Sequence, residues 1–275
     1  MAITAVPILG RILAEYGMTR SEIGVIAITA AAANDVIGWV LLAAVAAIVS
    51  AGFALDRFAL VIAGLVLLLA GLRLLGRPLA AWLVQRFAPR DQQVPPALLA
   101  SVIALMFAAG LITQELGVFS IFGGFLVGLL FYRHHDFVEA WRRTVGQFVL
   151  VFFLPIFFML TGLRTNLLGL DSLQDWTWCA IFFAGSVASK IAPVYLAGRW
   201  SGFSHSQSSA LGVLMNTRAL MELIVLNVGL SLGIIPQDVF TMLVIMAVGT
   251  TLMTGPLLNL LGFGGARSAP SERSS

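Results

Sequence analysis

Lysine is almost missing from this chain, cysteine nearly so, and charge of either sign is scarce. Of 275 residues only 11% are charged, against 59% hydrophobic, and the mean hydropathy is +0.98. A soluble domain of this length needs far more charge on its surface, so a water-soluble globular fold is excluded. A single cysteine, Cys179, rules out a disulfide framework and a thiolate metal cluster. The three histidines, His134, His135 and His205, fall at segment ends without a carboxylate at metal-ligand spacing, and read as solvated. No Ser/His/Asp set or zinc spacing occurs, so neither an enzyme nor a cofactor is expected. The net charge of +3 is carried mostly by arginines between apolar segments, which reads as membrane topology and not as a nucleic-acid surface.

What the chain does have is long apolar runs. Eight of them reach the roughly 16–25 residues of a membrane helix: Ile23–Val49, Phe58–Leu75, Ala97–Thr113, Val118–Tyr132, Gly146–Leu163, Trp176–Gly198, Ser209–Leu232 and Val239–Leu261. Short connections join them, so residues 1–263 read as one all-α transmembrane domain, and 264–275 (GGARSAPSERSS) as a disordered tail. Arginines mark alternate connections: Arg73, Arg77, Arg86 and Arg90 after the second span, Arg133, Arg142 and Arg143 after the fourth, Arg199 after the sixth, Arg267 and Arg273 after the eighth. The other connections carry Asp56 with Arg57, Glu115, Arg164 with Asp171 and Asp175, and Asp238. The positive-inside rule places the arginine-rich side and the C-terminus in the cytoplasm, with the plasma (inner) membrane as the expected location. Met1–Leu13 is apolar but too short to cross a bilayer, and with Arg11 cytoplasmic it would begin near mid-membrane. The expectation is therefore eight full spans plus one half-span, truncated at the N-terminus.

Two ionisable residues lie inside spans rather than at their ends. Lys190, the only lysine, sits within Trp178–Leu196, and Asp35 sits within Ile23–Val49. A charge at membrane depth costs about 2.5–3.5 kcal/mol on insertion scales and marks an ion or proton pathway by default. Asn34-Asp35 stands about a dozen residues into its helix, near the bilayer centre, between Ala30–Ala33 and Gly38. Small flanking residues let a neighbouring helix or an ion approach closely. A dehydrated Na⁺ or K⁺ prefers hard oxygen ligands, and a carboxylate there can hold a metal cation or a proton in turn. Lys190 is the expected charge partner of Asp35: a cation on Asp35 would remove the counter-charge of the ammonium and couple cation uptake to proton release.

A second polar patch, Asn216, Thr217, Arg218 and Glu222, interrupts the seventh span. Arg218 and Glu222 are spaced i,i+4, share a helix face and can neutralise each other. Asn216 and Thr217 offer side-chain oxygens where the helix is expected to unwind, and irregular backbone at that depth requires burial in protein or a cavity. Thr4 and Pro7 occupy the N-terminal half-segment; the proline frees the Ile3 carbonyl, so Thr4 is a possible cation ligand.

The runs AITAVPILGRILAEYG, AAANDVIGW, FFLPIFFMLTGLRTNL, SK before a small-residue helix, and MNTRALMELIVLNVGLSLGII together resemble the monovalent cation–proton antiporter family, the sodium/hydrogen exchanger fold, and within it the bacterial potassium-efflux and plant cation/proton exchanger type. The likeness covers nearly all of Met1–Leu261 in order. It implies an inverted-repeat fold whose core domain moves against a dimerisation domain, with two broken crossing helices, here the Ala2–Leu13 and Asn216–Glu222 regions. It implies Na⁺ or K⁺ and H⁺ as substrates, the lipid bilayer as surroundings, and a homodimer for the full-length protein. By the same likeness Asp35 corresponds to the cation- and proton-carrying aspartate, Asn34 to a position that is a second Asp in many members, Lys190 to the core-helix lysine, and Arg218 with Glu222 to the buried charged pair. The family's earlier helices and the soluble nucleotide-binding domain of potassium-efflux members have no counterpart in the sequence. An alternative is therefore a non-transporting fragment or accessory membrane subunit that retains the fold.

Overall fold

The structure, a computed structural model, describes residues 6–51, 55–88, 93–218 and 220–263. Among these residues the architecture is helical, without strands. Seven segments are long and apolar enough to cross a membrane: Glu22–Ala46, Ala59–Arg86, Pro96–Glu115, His135–Gly169, Leu173–Trp200, His205–Ser231 and Gln237–Leu260. Large side chains such as Leu67, Val151 and Leu163 stand exposed along them, as expected of surface solvated by lipid tails and not by water.

One of the eight expected spans is corrected. Val118–Tyr132 folds as a helix over only Ser120–Phe131, 12 residues, which at 1.5 Å per residue reaches about 18 Å of a hydrocarbon core about 30 Å thick. Gly117 takes the left-handed conformation (φ 76°) that turns the chain, and Phe119 is still extended when the helix begins. Elsewhere helices outrun their apolar cores. The second span, α3 (Leu55–Gly71), continues through a π-helical turn, Leu72–Gly76, into α4 (Arg77–Arg86), so Arg73 and Arg77 lie in helix and not in the connection after it. Two more π-helical stretches, Arg142–Gly146 and Val149–Phe153, lie between α7 (His135–Trp141) and α8 (Leu154–Arg164) in the segment His135–Gly169, which extends the fifth expected span, Gly146–Leu163, at both ends.

The chain divides into two compact units, the described residues up to Gly38 with those from Leu160 onward, and Trp39–Met159. In the second unit, α5 (Pro96–Glu115) and α6 (Ser120–Phe131) pack so closely that a Cβ on Gly123 would fall 2.3 Å from the Ala109 carbonyl oxygen. Its core gathers Leu83, Leu98, Val102, Val127, Phe131 and Phe137.

The first unit contains α1 (Val6–Glu15), the first part of α2 (Glu22–Ala51), α9 (Leu173–Trp200), α10 (His205–Met215), α11 (Leu220–Ser231), α12 (Gln237–Leu252) and α13 (Thr254–Leu260). Its innermost span is the broken one: His205–Ser231 is 76% buried over its apolar window, against 17% for Leu173–Trp200 and 50% for Gln237–Leu260. Leu9 and Leu13 of α1, Ala27 and Ala31 of α2, and Leu214 and Met215 of α10 share one apolar cluster.

Candidate ion-binding site

Helix α2 runs 30 residues without interruption, and Asp35 falls near its middle. Asp35 follows Ala31 by one turn, on the face that Ala27 and Ala31 bury in the core cluster. Its Oδ1 is buried, with no hydrogen-bond partner among the described residues. Burying a carboxylate oxygen without a hydrogen bond is costly. Asn34, beside it, is half-buried.

Lys190 stands on α9, which a reciprocal cap between Ser172 and Asp175 starts. Pro193 lies inside this helix and frees the Ser189 carbonyl next to the lysine. Lys190 is 7% exposed. The tight approach of α10 depends on Gly212: a Cβ there would lie 3.1 Å from the Ile191 carbonyl oxygen. This brings the α10 C-terminus against the lysine's turn. Among the charges that act on Lys190 are the Arg218 guanidinium and the Glu222 carboxylate. An Asp35–Lys190 ion pair is not among those formed by the described residues.

The expected unwinding is present. Helix α10 stops at Met215, Asn216 caps it, and Thr217 and Arg218 are non-helical before α11 begins. Asn216, Thr217, Arg218 and Glu222 are all buried. Arg218 Nη1 donates to both carboxylate oxygens of Glu222, at 3.1 and 3.2 Å, and Nη2 donates to the Ser186 carbonyl at 3.1 Å, one turn before Lys190. Thr217 Oγ1 donates to the Leu214 carbonyl at 2.8 Å and lies 3.4 Å from Thr254 Oγ1. Asn216 Oδ1 is buried without a partner among the described residues. Thr4, and the Ile3 carbonyl that Pro7 frees, lie outside the described residues.

Sequence reading missed the side of the site built by α12 and α13. Thr251 bonds the Arg218 backbone, Thr254 meets Thr217, and Met253 Sδ receives the Asn216 amide at 3.8 Å. The only signal was a threonine-rich stretch, TTLMT, at 250–254, which hydropathy treats as unremarkable apolar helix.

Described positions thus assemble an unpartnered carboxylate oxygen on an intact helix and, in the same unit, a buried Arg–Glu–Lys group around a helix break. Residues 1–263 match the transmembrane sodium/hydrogen exchanger family. The chain belongs to that family. It is 34% identical over 258 residues to the Na(+)/H(+) antiporter NhaS4 of Synechocystis, covering 94% of this chain and 62% of that protein. It is 33% identical over 266 residues to cation/H(+) antiporter 17 of Arabidopsis thaliana, covering 94% and 31%. It is 30% identical over 266 residues to K(+)/H(+) antiporter 1 of Saccharomyces cerevisiae, covering 95% and 30%. The chain spans less than two thirds of the length of each of these relatives.

Proposed function

We propose that this chain forms the membrane domain of a secondary transporter that exchanges a monovalent cation, Na⁺ or K⁺, for protons by alternating access about a midplane site. The observation that carries the reading is the buried, unpartnered Oδ1 of Asp35 at the middle of a 30-residue membrane helix. Asp35 binds the cation and the proton in turn, Asn34 assists, and Thr4 adds a ligand from the N-terminal segment. Lys190 responds to the charge state of the site and takes part in proton coupling. The Arg218–Glu222 pair, with Asn216 and Thr217, holds the helix break. Support comes from family membership and from relatives named as Na⁺/H⁺, cation/H⁺ and K⁺/H⁺ antiporters.

Residues 1–263 are the exchanger domain in this proposal, with an inverted-repeat arrangement, a homodimeric full-length protein, an inner-membrane location and a cytoplasmic C-terminus. The unit that carries Asn34, Asp35, Lys190, Arg218 and Glu222 acts as the core domain; all five fall within it. The experiment is cation-induced proton flux in everted vesicles, wild type against Asp35→Asn. Flux present in the wild type and lost in the variant supports the assignment; equal flux in both rejects it.

A further inference from the structure

In an unbroken helix the Arg218 amide would donate to the carbonyl of Leu214. That carbonyl is already taken by Thr217, whose N–H reaches it at 3.2 Å and whose Oγ1 reaches it at 2.8 Å. The Arg218 amide instead donates to Thr251 Oγ1 at 3.1 Å, and the same hydroxyl donates to the Arg218 carbonyl oxygen. One side chain on α12 therefore serves both backbone polar groups of a residue in the break. Thr251 Oγ1 also lies 2.9 Å from the Ala247 carbonyl, the acceptor one turn back on its own helix. A hydroxyl has a single proton and two lone pairs. The lone pair takes the Arg218 amide, and the one proton is divided between the Ala247 and Arg218 carbonyls.

The neighbouring threonines do not share this arrangement. Among the described residues Thr250 donates to the Met246 and Ala247 carbonyls of its own helix, and Thr254 donates to the Thr250 carbonyl while meeting a side chain, Thr217. A buried threonine needs nothing beyond the bond to its own helix.

We propose that Thr251 is a positioning residue for ion exchange: it fixes the Arg218 backbone and so aims the guanidinium at Glu222 and at the Ser186 carbonyl, setting the charge that Lys190 faces. This rests on the antiport reading of the Asp35 site. It assigns a role to α12, whose Thr251 lies 33 positions from Arg218 in sequence.

The test compares Thr251→Val, which keeps shape and removes the hydroxyl, with Thr251→Ser, which keeps the hydroxyl, and with Thr250→Val as a control. Two readouts are used: amide hydrogen exchange of the peptide covering Arg218 in the purified protein, and the apparent cation KM and maximal rate in everted vesicles. Loss of the hydroxyl bonds is expected to speed Arg218 amide exchange about tenfold and to raise KM about tenfold, with the maximal rate changed by less than about twofold. The Ser variant and the Thr250→Val control should behave as wild type in both. Wild-type amide exchange and KM in Thr251→Val would overturn the proposal. Where Thr251→Val does not fold, Thr251→Cys, with its weak donor, should show faster Arg218 amide exchange and a higher KM than wild type and Thr251→Ser; a Cys variant indistinguishable from wild type overturns it. A wild-type protein without cation-dependent flux would sink the antiport reading, while the amide-exchange comparison would still decide whether Thr251 clamps the break.

Discussion

Arg218 and Glu222 form an ion pair that water scarcely reaches: Nη1 stands 3.1 Å from Oε1, with side-chain exposures of 0% and 5%. Most helix-surface pairs at this spacing contribute a few tenths of a kcal/mol. This one is different because neither charge has an alternative solvent. Removing one partner strands the other, so Arg218→Met or Glu222→Gln alone should each cost about 3–5 kcal/mol. Replacing both with apolar residues of similar volume should recover much of that loss. Thermal unfolding of the purified protein in detergent measures both, and equal losses in the single and double variants would contradict the pairing.

Asp35 should behave in the opposite way. Its Oδ1 gains no hydrogen bond from the described residues, so the fold gives up little when the charge is removed. Asp35→Asn is expected to leave the unfolding temperature unchanged or raised while abolishing cation-induced proton flux, the usual cost of stability against activity at a working site. A large fall in unfolding temperature would assign Asp35 a structural partner instead.

Lys190 faces the Arg218 guanidinium and the Glu222 carboxylate, and its coupling should follow. In double-mutant cycles, Lys190→Ala with Glu222→Gln should depart from additivity by about 0.5–3 kcal/mol. Lys190→Ala with Asp35→Asn should depart by less. Denaturant unfolding provides the four corners of each cycle. A larger coupling with Asp35 would make Asp35, and not Glu222, the charge partner of Lys190.

Exchange should be electroneutral. The α2 site offers one carboxylate, because the residue beside Asp35 is the neutral Asn34. One monovalent cation then replaces one proton, and an imposed membrane potential should leave flux unchanged in proteoliposomes. Strong voltage dependence would make Lys190 a second proton carrier, and Asn34→Asp would then test whether position 34 sets the stoichiometry.

Much of this was legible in the sequence because the membrane penalises charge so heavily. Asp35, Lys190, Arg218 and Glu222 stand out against apolar surroundings, and the i,i+4 spacing of the last two gives their contact. The break at Asn216–Arg218 also announces itself, since clustered polar residues in a span must unwind or pair. Pairings between distant segments were hidden. Arg164, which reads as a loop charge, reaches Asn227 and Ser231; Thr251 reads as a neutral helix position yet holds the Arg218 backbone. Hydropathy also gave α6 too much length, because it counts apolar residues and not the backbone turn at Gly117 that removes Val118 and Phe119 from the helix.

The placement of the broken segment bears on how such a chain is made. As a nascent span, residues 205–231 present an arginine, a glutamate, two asparagines and a threonine to the translocon, and a central arginine alone adds about 2.5–3.5 kcal/mol to the cost of insertion. The carboxylate that neutralises Arg218 arrives with the same segment, but the hydroxyl that satisfies its backbone belongs to Thr251 and is synthesised later. Stable lateral release into the bilayer must therefore wait for α12. Residues 205–260 are then expected to enter the membrane as a helical hairpin and not one helix at a time.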